Sequence, residues 1–403
     1  MINKSKINIV DSIMGSGKTT YAIQKMKEDK ENNYIYITPY LSEIQRIKKS
    51  VNNKRFYEPL NFGEGKLKSL HDLIIKNKNI ASTHALFKMA TEETKELLKA
   101  NSYILILDEV MDVVEEVKLK KDDIKLLLDN DLIKIQKDNL VLWNEKKLHI
   151  QTQYDKLKNM CLNKNIFMIN NTLLMWTFPI DIFNSFKEIY ILTYLFDGQI
   201  QRYYYDLYNI NYKYYSIGYN KENNKYELID YIKEYDLKNI SKNINLLLDD
   251  KINNIGNDDY SLSKAWFNKD KNKLLLLQLK NNISNYYKHK LKSKANNNMW
   301  TTYKDYKSKL SGKGYTKGFV TLNCRATNDY INKTNLVYCA NIFLNPIIKQ
   351  FFIDKDINVN EDIYALSELI QWLWRSSIRK SELINLYIPS KRMRNLLIDW
   401  LQI

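Results

Sequence analysis

Short apolar runs alternate with stretches of helical spacing in the first half of the chain. The clearest runs are Ile7–Val10, Tyr34–Thr38, Tyr103–Leu107 and Glu188–Thr193, each four to six residues long. Largely apolar runs of this length between polar residues are typical of strands buried on both faces. Their alternation with helical segments predicts a parallel sheet flanked by helices, so we assign the first half to the α/β class.

The second half has fewer such runs but also predicts an α/β domain. A helical pattern covers Lys273–Lys294, a strand-like run follows at Gly318–Asn323, and a strand at Ile384–Ile388 precedes a closing helix that ends near Leu401. The stretch 118–171 has Lys, Asp and Leu at helical spacing, which predicts a helical insertion in the first domain. No Gly/Ser-rich linker marks a domain boundary, so boundaries follow from the order of motifs.

The charge balance points to a polyanionic partner without proving one. The chain has 62 Lys and Arg against 46 Asp and Glu, a formal net charge of +16. Such an excess favours nucleic-acid binding. The abundance of Lys, Asn, Ile and Tyr is equally typical of an AT-rich coding sequence, so composition alone leaves both explanations open.

The cysteine and histidine positions argue against a structural metal or disulfide framework. The 3 Cys residues form no C-x-x-C pair, and the 4 His residues show no metal-ligand spacing near them. The N-terminal apolar run is too short for a signal peptide, and no segment approaches the ~18 apolar residues of a membrane helix. We therefore expect a soluble protein of the cytoplasm.

The stretch DSIMGSGKTT, beginning at Asp11, follows the first predicted strand and precedes a predicted helix. It matches the phosphate-loop pattern G-x-x-x-x-G-K-[ST] except that Ser12 occupies the first glycine position. In such a loop, backbone N–H groups at the helix start bind phosphates, Lys18 contacts the β- and γ-phosphates, and the Thr19 hydroxyl binds Mg²⁺. The predicted nucleotide-binding residues are Gly15, Ser16, Gly17, Lys18, Thr19 and Thr20. The alternative is a chance glycine-lysine turn.

An acidic pair directly follows the apolar run that ends at Leu107. Asp108 and Glu109 would lie at the carboxyl end of a buried strand, where α/β proteins bind their ligands. We expect Asp108 to bind Mg²⁺ and Glu109 to polarise the attacking water, which favours ATP hydrolysis over simple nucleotide binding. The alternative is a strand that ends in two solvated acids.

The order of the motifs GSGKT, TP, THALF and DEVM resembles the first half of a superfamily 2 helicase. In that family, the elements that match Thr38-Pro39 and Thr83-His84 contact nucleic acid, and Asp108-Glu109 correspond to the DExx box. Leu192-Thr193-Tyr194 resembles the S/T-A-T element that couples ATP state to strand binding, and it departs from the pattern at Tyr194.

Two blocks in the second half resemble later helicase motifs. The block RATN resembles motif V of phage-type helicases and implies nucleic-acid contacts by Arg325, Thr327 and Asn328. The block 367–379 resembles motif VI, with Gln371, Arg375 and Arg379 expected on one helical face. An arginine there would stabilise the transferring phosphoryl group. The alternative is an ordinary cationic helix face.

The whole resemblance is to compact bacteriophage-encoded DNA helicases and, more distantly, to herpesvirus origin-binding helicases. It implies two tandem RecA-like domains, 1–197 and 198–403, which bind ATP and Mg²⁺ between them. It also implies DNA as partner, a role in mobile-element replication or recombination, and contact with replication proteins; a monomer is favoured. The alternative is a nucleic-acid-stimulated ATPase that loads or remodels proteins on DNA without unwinding. A nucleotide switch without nucleic acid is a third interpretation.

Overall fold

The computed structural model describes residues 6–61, 63–323 and 329–402. Its strands are β1 Ile7–Asp11, β2 Tyr34–Thr38, β3 Phe56–Tyr57, β4 Asn79–Thr83, β5 Ile104–Asp108, β6 Val114–Val117, β7 Ile133–Ile135, β8 Val141–Trp143, β9 Ile166–Ile169, β10 Leu173–Thr177, β11 Glu188–Thr193, β12 Tyr212–Asn220, β13 Lys225–Asp230, β14 Ile244–Leu246, β15 Asn298–Thr301, β16 Asn335–Tyr338 and β17 Ile384–Tyr387.

The α-helices connect these strands. They are α1 Lys18–Glu28, α2 Leu41–Ser50, α3 Lys66–Ile75, α4 His84–Phe87, α5 Glu92–Asn101, α6 Lys121–Asp129, α7 Asp155–Leu162, α8 Ile180–Asn184, α9 Ile200–Leu207, α10 Lys238–Ser241, α11 Asp250–Asn253, α12 Lys264–Phe267, α13 Lys273–Asn285, α14 Lys307–Leu310, α15 Pro346–Ile353, α16 Glu361–Leu373 and α17 Lys391–Leu401. Within the described ranges, no helix combines the length and the apolar character needed to cross a membrane.

The first compact unit is built on a large sheet with strand order β13-β12-β1-β11-β5-β2-β4-β3. All neighbouring strands in it are parallel except the β12–β13 pair, which is antiparallel. The predicted runs Tyr34–Thr38 and Glu188–Thr193 are strands with the same bounds. The other two predicted runs agree to within one residue at each end. The α/β prediction for the first half is therefore confirmed.

Helices cover the sheet through apolar side chains at helical spacing. In α1, the buried residues Ala22 and Met26 are one turn apart and pack in the same core cluster as Val10 of β1. Buried Ile44 and Ile47 of α2 join that cluster. Because spacings of three and four residues return to one helix face, these side chains hold both helices against the sheet.

The insertion in the first unit is mixed α/β, so the prediction of a helical insertion is wrong. It contains α6 and α7, but also an antiparallel sheet of order β6-β10-β9 and the β7–β8 hairpin. Asn170 and Asn171, between β9 and β10, have φ of 47° and 55°. Two successive positive φ angles suit a tight turn between antiparallel strands, and Asn tolerates them. This turn converts the apolar runs on either side into a hairpin.

The boundary of the first unit differs from the expected one at residue 197. The unit continues to Tyr231 and also includes Asn345–Val359 from late in the chain. The returning segment carries α15, whose Phe351 and Phe352 contact Phe167 and Tyr203 at ring-centroid distances of 6.4 and 5.6 Å. Hydrophobic burial thus retains this helix on the first unit, although its neighbours in sequence belong to the second.

The second unit contains a parallel sheet with strand order β14-β17-β16-β15 and surrounding helices. The predicted strand Ile384–Ile388 and the closing helix are confirmed as β17 and α17. The strand expected at Gly318–Asn323 is absent from its described residues. Phe319 directly follows the 3-10 helix Thr316–Gly318 and forms an isolated parallel bridge with Trp300 of β15 instead of a strand.

Candidate nucleotide-binding site

The loop between β1 and α1 has the backbone form that phosphate binding requires. Gly15 and Gly17 have φ of 84° and 97°, in the left-handed region that favours glycine. Gly17 is the residue from which α1 begins. The loop therefore ends at the N-terminus of an eleven-residue helix, where free backbone N–H groups and the helix dipole favour an anion.

Ser12, at the position of the missing glycine, is buried and hydrogen-bonded. Its N–H donates to the Thr193 carbonyl at 3.0 Å, and its hydroxyl oxygen accepts from the Ile217 N–H at 2.8 Å. Its φ is not positive. An L-residue therefore fits there without backbone strain, and the Ser12 side chain supplies an acceptor that glycine lacks.

Lys18 points back into the loop that it follows. Its ammonium donates to the carbonyl oxygens of Ser12 and Ile13, the latter at 3.1 Å. Burial lowers the pKa of Lys18, while the nearby carboxylates of Glu109, Asp11 and Asp108 favour its charged form. A phosphate oxygen is a stronger, charge-assisted acceptor than a backbone carbonyl. The arrangement therefore gives a bound phosphate a half-buried cation with which to pair.

Asp11 connects the phosphate-loop strand to the turn that follows β11, a role that the sequence analysis missed. Its buried carboxylate accepts hydrogen bonds from the N–H groups of Leu195 and Phe196, both at 2.9 Å. Burial raises the pKa of Asp11, whereas these bonds and Lys18 oppose the rise. A carboxylate at a strand end was a visible signal, but its backbone partners lie far away in sequence.

Asp108 is the half-buried last residue of β5. Its Oδ2 accepts a 2.8 Å hydrogen bond from the Tyr36 hydroxyl. Burial raises the pKa of Asp108 to about 7, and the neighbouring Glu109 adds to the rise. The sequence did not predict the role of Tyr36 as a donor to Asp108, because a tyrosine within an apolar strand is indistinguishable from an ordinary core residue.

Glu109 leaves the sheet through an unusual backbone conformation. Its φ is 72°, and its N–H donates to the Leu192 carbonyl at 3.0 Å. A positive φ is uncommon for a residue with a long side chain and costs energy that the surrounding structure must offset. Here the bond to β11 holds the residue in this conformation, directly after the half-buried Asp108.

The oxygen ligands at this edge suit a magnesium ion that arrives with a nucleotide. Asp108 offers a carboxylate and Thr19 a hydroxyl. Among the described residues, no group of three or more His, Cys, Asp or Glu side chains is placed to hold a metal. Mg²⁺ is commonly bound by one or two protein oxygens together with phosphates and waters. The residues therefore fit a nucleotide-dependent Mg²⁺ rather than an all-protein metal site.

The predicted nucleic-acid residues of the first unit lie along the same edge of the sheet. Thr38 ends β2 and Thr83 ends β4, and the two residues are paired in register. Among the residues that the structure describes, none forms a hydrogen bond with the buried hydroxyl of Thr38. Thr83 caps α4 by accepting from the Leu86 N–H at 3.4 Å. Pro39 and His84 follow these strand ends directly. Since β5 neighbours β2, this row continues from Asp108 along the edge.

In the second unit, the predicted helical stripe is wrong. Gln371 is buried in the last turn of α16, which ends at Leu373, whereas Arg375 follows the helix and Arg379 lies on a 3-10 helix. The hydroxyl of Ser376 donates to the Leu373 carbonyl at 2.6 Å and accepts from Ile378 N–H at 3.5 Å. Local bonds of this kind compete with α-helical ones and end the helix. Arg325, Thr327 and Asn328 lie outside the described residues.

Comparison with known structures supports the helicase-like fold. S. tokodaii Xpd4 superposes with a TM-score of 0.52 at 12% identity, over 98% of this chain and 94% of that one. The DUF1998 helicase MrfA bound to DNA gives a TM-score of 0.32 at 10% identity, over 96% of this chain and 46% of that one. The likeness to Xpd4 alone supports a helicase-like fold, and together with the two parallel sheets flanked by helices it agrees with the predicted tandem α/β fold.

Comparison with known sequences places the chain in a family. Residues 114–176 match the YonV middle domain, and residues 238–401 match the YonV C-terminal Rossmann-like domain. The SPbeta prophage-derived uncharacterized protein YonV of Bacillus subtilis (strain 168) is 48% identical over 410 residues, which cover 98% of this chain and 99% of the relative. The middle-domain match coincides with the mixed insertion. The chain belongs to the YonV family.

Proposed function

We propose that this chain is an ATP-dependent DNA helicase or translocase that hydrolyses Mg-ATP. One observation carries the proposal: the loop with its two left-handed glycines and half-buried Lys18 lies at the same edge of a parallel sheet as the Asp108-Glu109 pair. Neither feature alone is specific. Together, at the carboxyl ends of β1 and β5, which flank β11 in the sheet, they provide a phosphate cradle, a magnesium ligand and a candidate base.

The residues divide the work of hydrolysis between them. The loop from Gly15 to Thr20 and the Lys18 ammonium bind and orient the triphosphate. Thr19 and Asp108 would hold Mg²⁺, which neutralises charge on the phosphates when bound. Glu109, held just beyond the sheet, orients and polarises the attacking water. Catalysis of this kind depends on positioning and charge stabilisation, which suits the tightly hydrogen-bonded setting of these groups.

The contribution of the second unit rests on the resemblance to helicases. We propose that Arg375 or Arg379 stabilises charge on the transferring phosphoryl group, with Gln371 beside them in sequence. Their separation onto a helix end and a 3-10 turn does not remove either arginine from this role. It does make the two inequivalent, because Arg379 is exposed and Arg375 is half-buried.

We propose that the protein binds nucleic acid and moves along it. Thr38, Pro39, Thr83 and His84 form the contact row of the first unit, and Arg325, Thr327 and Asn328 are proposed contacts of the second. The net charge of +16 supplies the long-range attraction to a polyanion. The prophage origin of the relative supports a role in replication or recombination of a mobile element.

The deciding experiment is the ATPase rate of the full chain with and without single-stranded DNA, double-stranded DNA and RNA. The Lys18→Ala variant serves as the matched control, because it removes the cation and leaves the backbone loop. We expect DNA to stimulate the wild type and the variant to be inactive. Normal turnover by the variant would remove the proposed site, and equal rates with and without nucleic acid would favour a nucleotide switch.

Strand displacement then separates helicase from remodelling ATPase. A forked duplex with one labelled strand is incubated with ATP and the full chain, and release of the strand is followed. DNA-stimulated hydrolysis with release supports unwinding. Stimulated hydrolysis without release supports the alternative, an ATPase that loads or remodels proteins on DNA.

A further inference from the structure

The β12–β13 hairpin is attached to the phosphate loop and to α1. Ile217 of β12 donates its N–H to the Ser12 hydroxyl at 2.8 Å, and Ser216 donates its hydroxyl to the Asp11 carbonyl at 3.2 Å. On the other strand, Lys225 pairs with Glu28 of α1 at 2.6 Å. These contacts come from residues beyond the expected end of the first domain, and the helicase resemblance assigns them no role.

The hairpin places an aromatic ring directly on the phosphate loop. A β-carbon built on Gly17 would lie 2.2 Å from Cε1 of Tyr226, so the ring rests against the last glycine before Lys18. The Tyr226 N–H donates to the Gln24 side chain of α1 at 3.2 Å, and this bond fixes the position of β13 along α1. Tyr219 packs beside it, with ring centroids 5.0 Å apart.

Tyr226 is only half-buried, although it borders the core cluster beneath α1. A tyrosine with part of its ring exposed beside a phosphate-binding turn offers an apolar, polarisable surface within a nucleotide's length of the phosphates. Aromatic rings bind nucleobases by stacking, because every base has a flat π-face. A purely structural tyrosine would serve the packing equally well, so the two roles must be separated by experiment.

We propose that Tyr226 is the base-stacking residue of the nucleotide site. This inference rests on the proposed ATPase function and deepens it, because it assigns the base-binding element to a hairpin downstream of β11. No glutamine precedes the loop in the sequence, so a side chain that binds the base must come from another part of the chain, and Tyr226 can supply it. The stacking energy increases with the area of the base, so the site should prefer purine to pyrimidine triphosphates.

The test compares ATP with a ligand that has phosphates but no base. ATP hydrolysis by the full chain is measured with saturating DNA, together with competitive inhibition by inorganic tripolyphosphate. The variants are Tyr226→Leu, which keeps apolar volume, Tyr226→Phe, which keeps the ring, and Lys225→Ala, which weakens hairpin docking without touching the ring. Thermal unfolding of each variant reports whether the hairpin stays folded.

We expect Tyr226→Leu to raise KM for ATP about tenfold, the scale of one lost stacking contact, with kcat and the tripolyphosphate inhibition constant unchanged. Tyr226→Phe should resemble the wild type, and Tyr226→Leu should lose the preference for ATP over UTP. An unchanged KM, an equal loss of tripolyphosphate binding, or the same KM rise in Lys225→Ala overturns the inference while leaving the ATPase proposal intact. A wild type without turnover or tripolyphosphate binding overturns both.

Discussion

The hydroxyl of Tyr36 donates a 2.8 Å hydrogen bond to Oδ2 of Asp108, linking two neighbouring strands of the central sheet at the candidate magnesium ligand. The bond lies between side chains that are 72 residues apart. It orients one carboxylate oxygen and leaves Oδ1 for a ligand. Partners of this kind commonly fix the orientation and affinity of metal-binding groups.

Removal of this bond should weaken magnesium use. In Tyr36→Phe, Asp108 loses a donor that stabilises its charged form, so we expect the Mg²⁺ concentration for half-maximal ATPase to rise about tenfold. The measurement is a Mg²⁺ titration of hydrolysis at fixed ATP. Tyr34→Phe is the matched control, since Tyr34 lies on the same strand but donates to Asp29 at 2.6 Å. An equal effect in both variants would indicate a general loss of strand stability.

Magnesium use should also depend on pH through Asp108. Burial raises the pKa of this carboxyl to about 7, and a metal ligand must be deprotonated. Below pH 7 the Mg²⁺ requirement should therefore rise by up to about tenfold per pH unit, and above pH 8 it should level off. Saturating Mg²⁺ should shift the acidic limb of activity to lower pH. If saturating Mg²⁺ does not shift the acidic limb of activity, a group other than Asp108 causes that limb.

The same shift has a consequence for the metal-free protein. Because the folded-state pKa of Asp108 is raised, its stabilising contribution is complete below its unfolded value near 4 and is lost as pH rises through about 7. Asp108→Asn removes this contribution to the pH dependence. Thermal unfolding of both proteins without Mg²⁺ between pH 5 and 8 checks this, and parallel curves would contradict it.

Glu109→Gln should separate binding from hydrolysis. The amide keeps the size of the side chain but cannot polarise water as a carboxylate does, so we expect ATP binding near the wild-type level and turnover reduced at least about a hundredfold. Equilibrium binding of ATP and single-turnover hydrolysis measure the two effects. Fast hydrolysis by this variant would dismiss Glu109 as the base.

Ser12→Ala should destabilise the phosphate loop. The change leaves the Ile217 N–H without the acceptor that it has at 2.8 Å, and an unsatisfied buried donor costs about 1–3 kcal/mol. Ser12→Gly, which restores the usual pattern, should be at least as destabilising because the position has no positive φ to exploit. Urea unfolding measures both, and a stabilised glycine variant would contradict this account of Ser12.

DNA binding should weaken steeply with salt. Basic residues that neutralise phosphates release counterions, so the logarithm of affinity should fall linearly with the logarithm of salt concentration. Fluorescence anisotropy of labelled single-stranded DNA between low and moderate salt gives the slope. A flat response would mean that the charge of +16 reflects codon composition only.

The sequence by itself determined the parts of this protein that depend on local pattern. The strands Tyr34–Thr38 and Glu188–Thr193 were predictable because a strand buried on both faces must be apolar throughout. The left-handed turns of the loop between β1 and α1 were predictable because glycine accommodates the positive φ at Gly15 and Gly17. The proximity of the loop and Asp108 also followed, since parallel strands present their carboxyl ends at one edge.

Tertiary structure decided what depends on partners distant in sequence. The stripe of Gln371, Arg375 and Arg379 does not form because α16 ends at Leu373, where the Ser376 hydroxyl bonds the backbone. The return of α15 to the first unit depends on aromatic contacts across the chain. Ser12 illustrates the same limit, because in sequence it only breaks the loop pattern. The parallel pairing of β1 and β12 brings the Ile217 N–H beside it, and the Ser12 hydroxyl accepts a hydrogen bond from that group. A side chain's hydrogen-bond partner is set by the folded chain, and no local pattern encodes it.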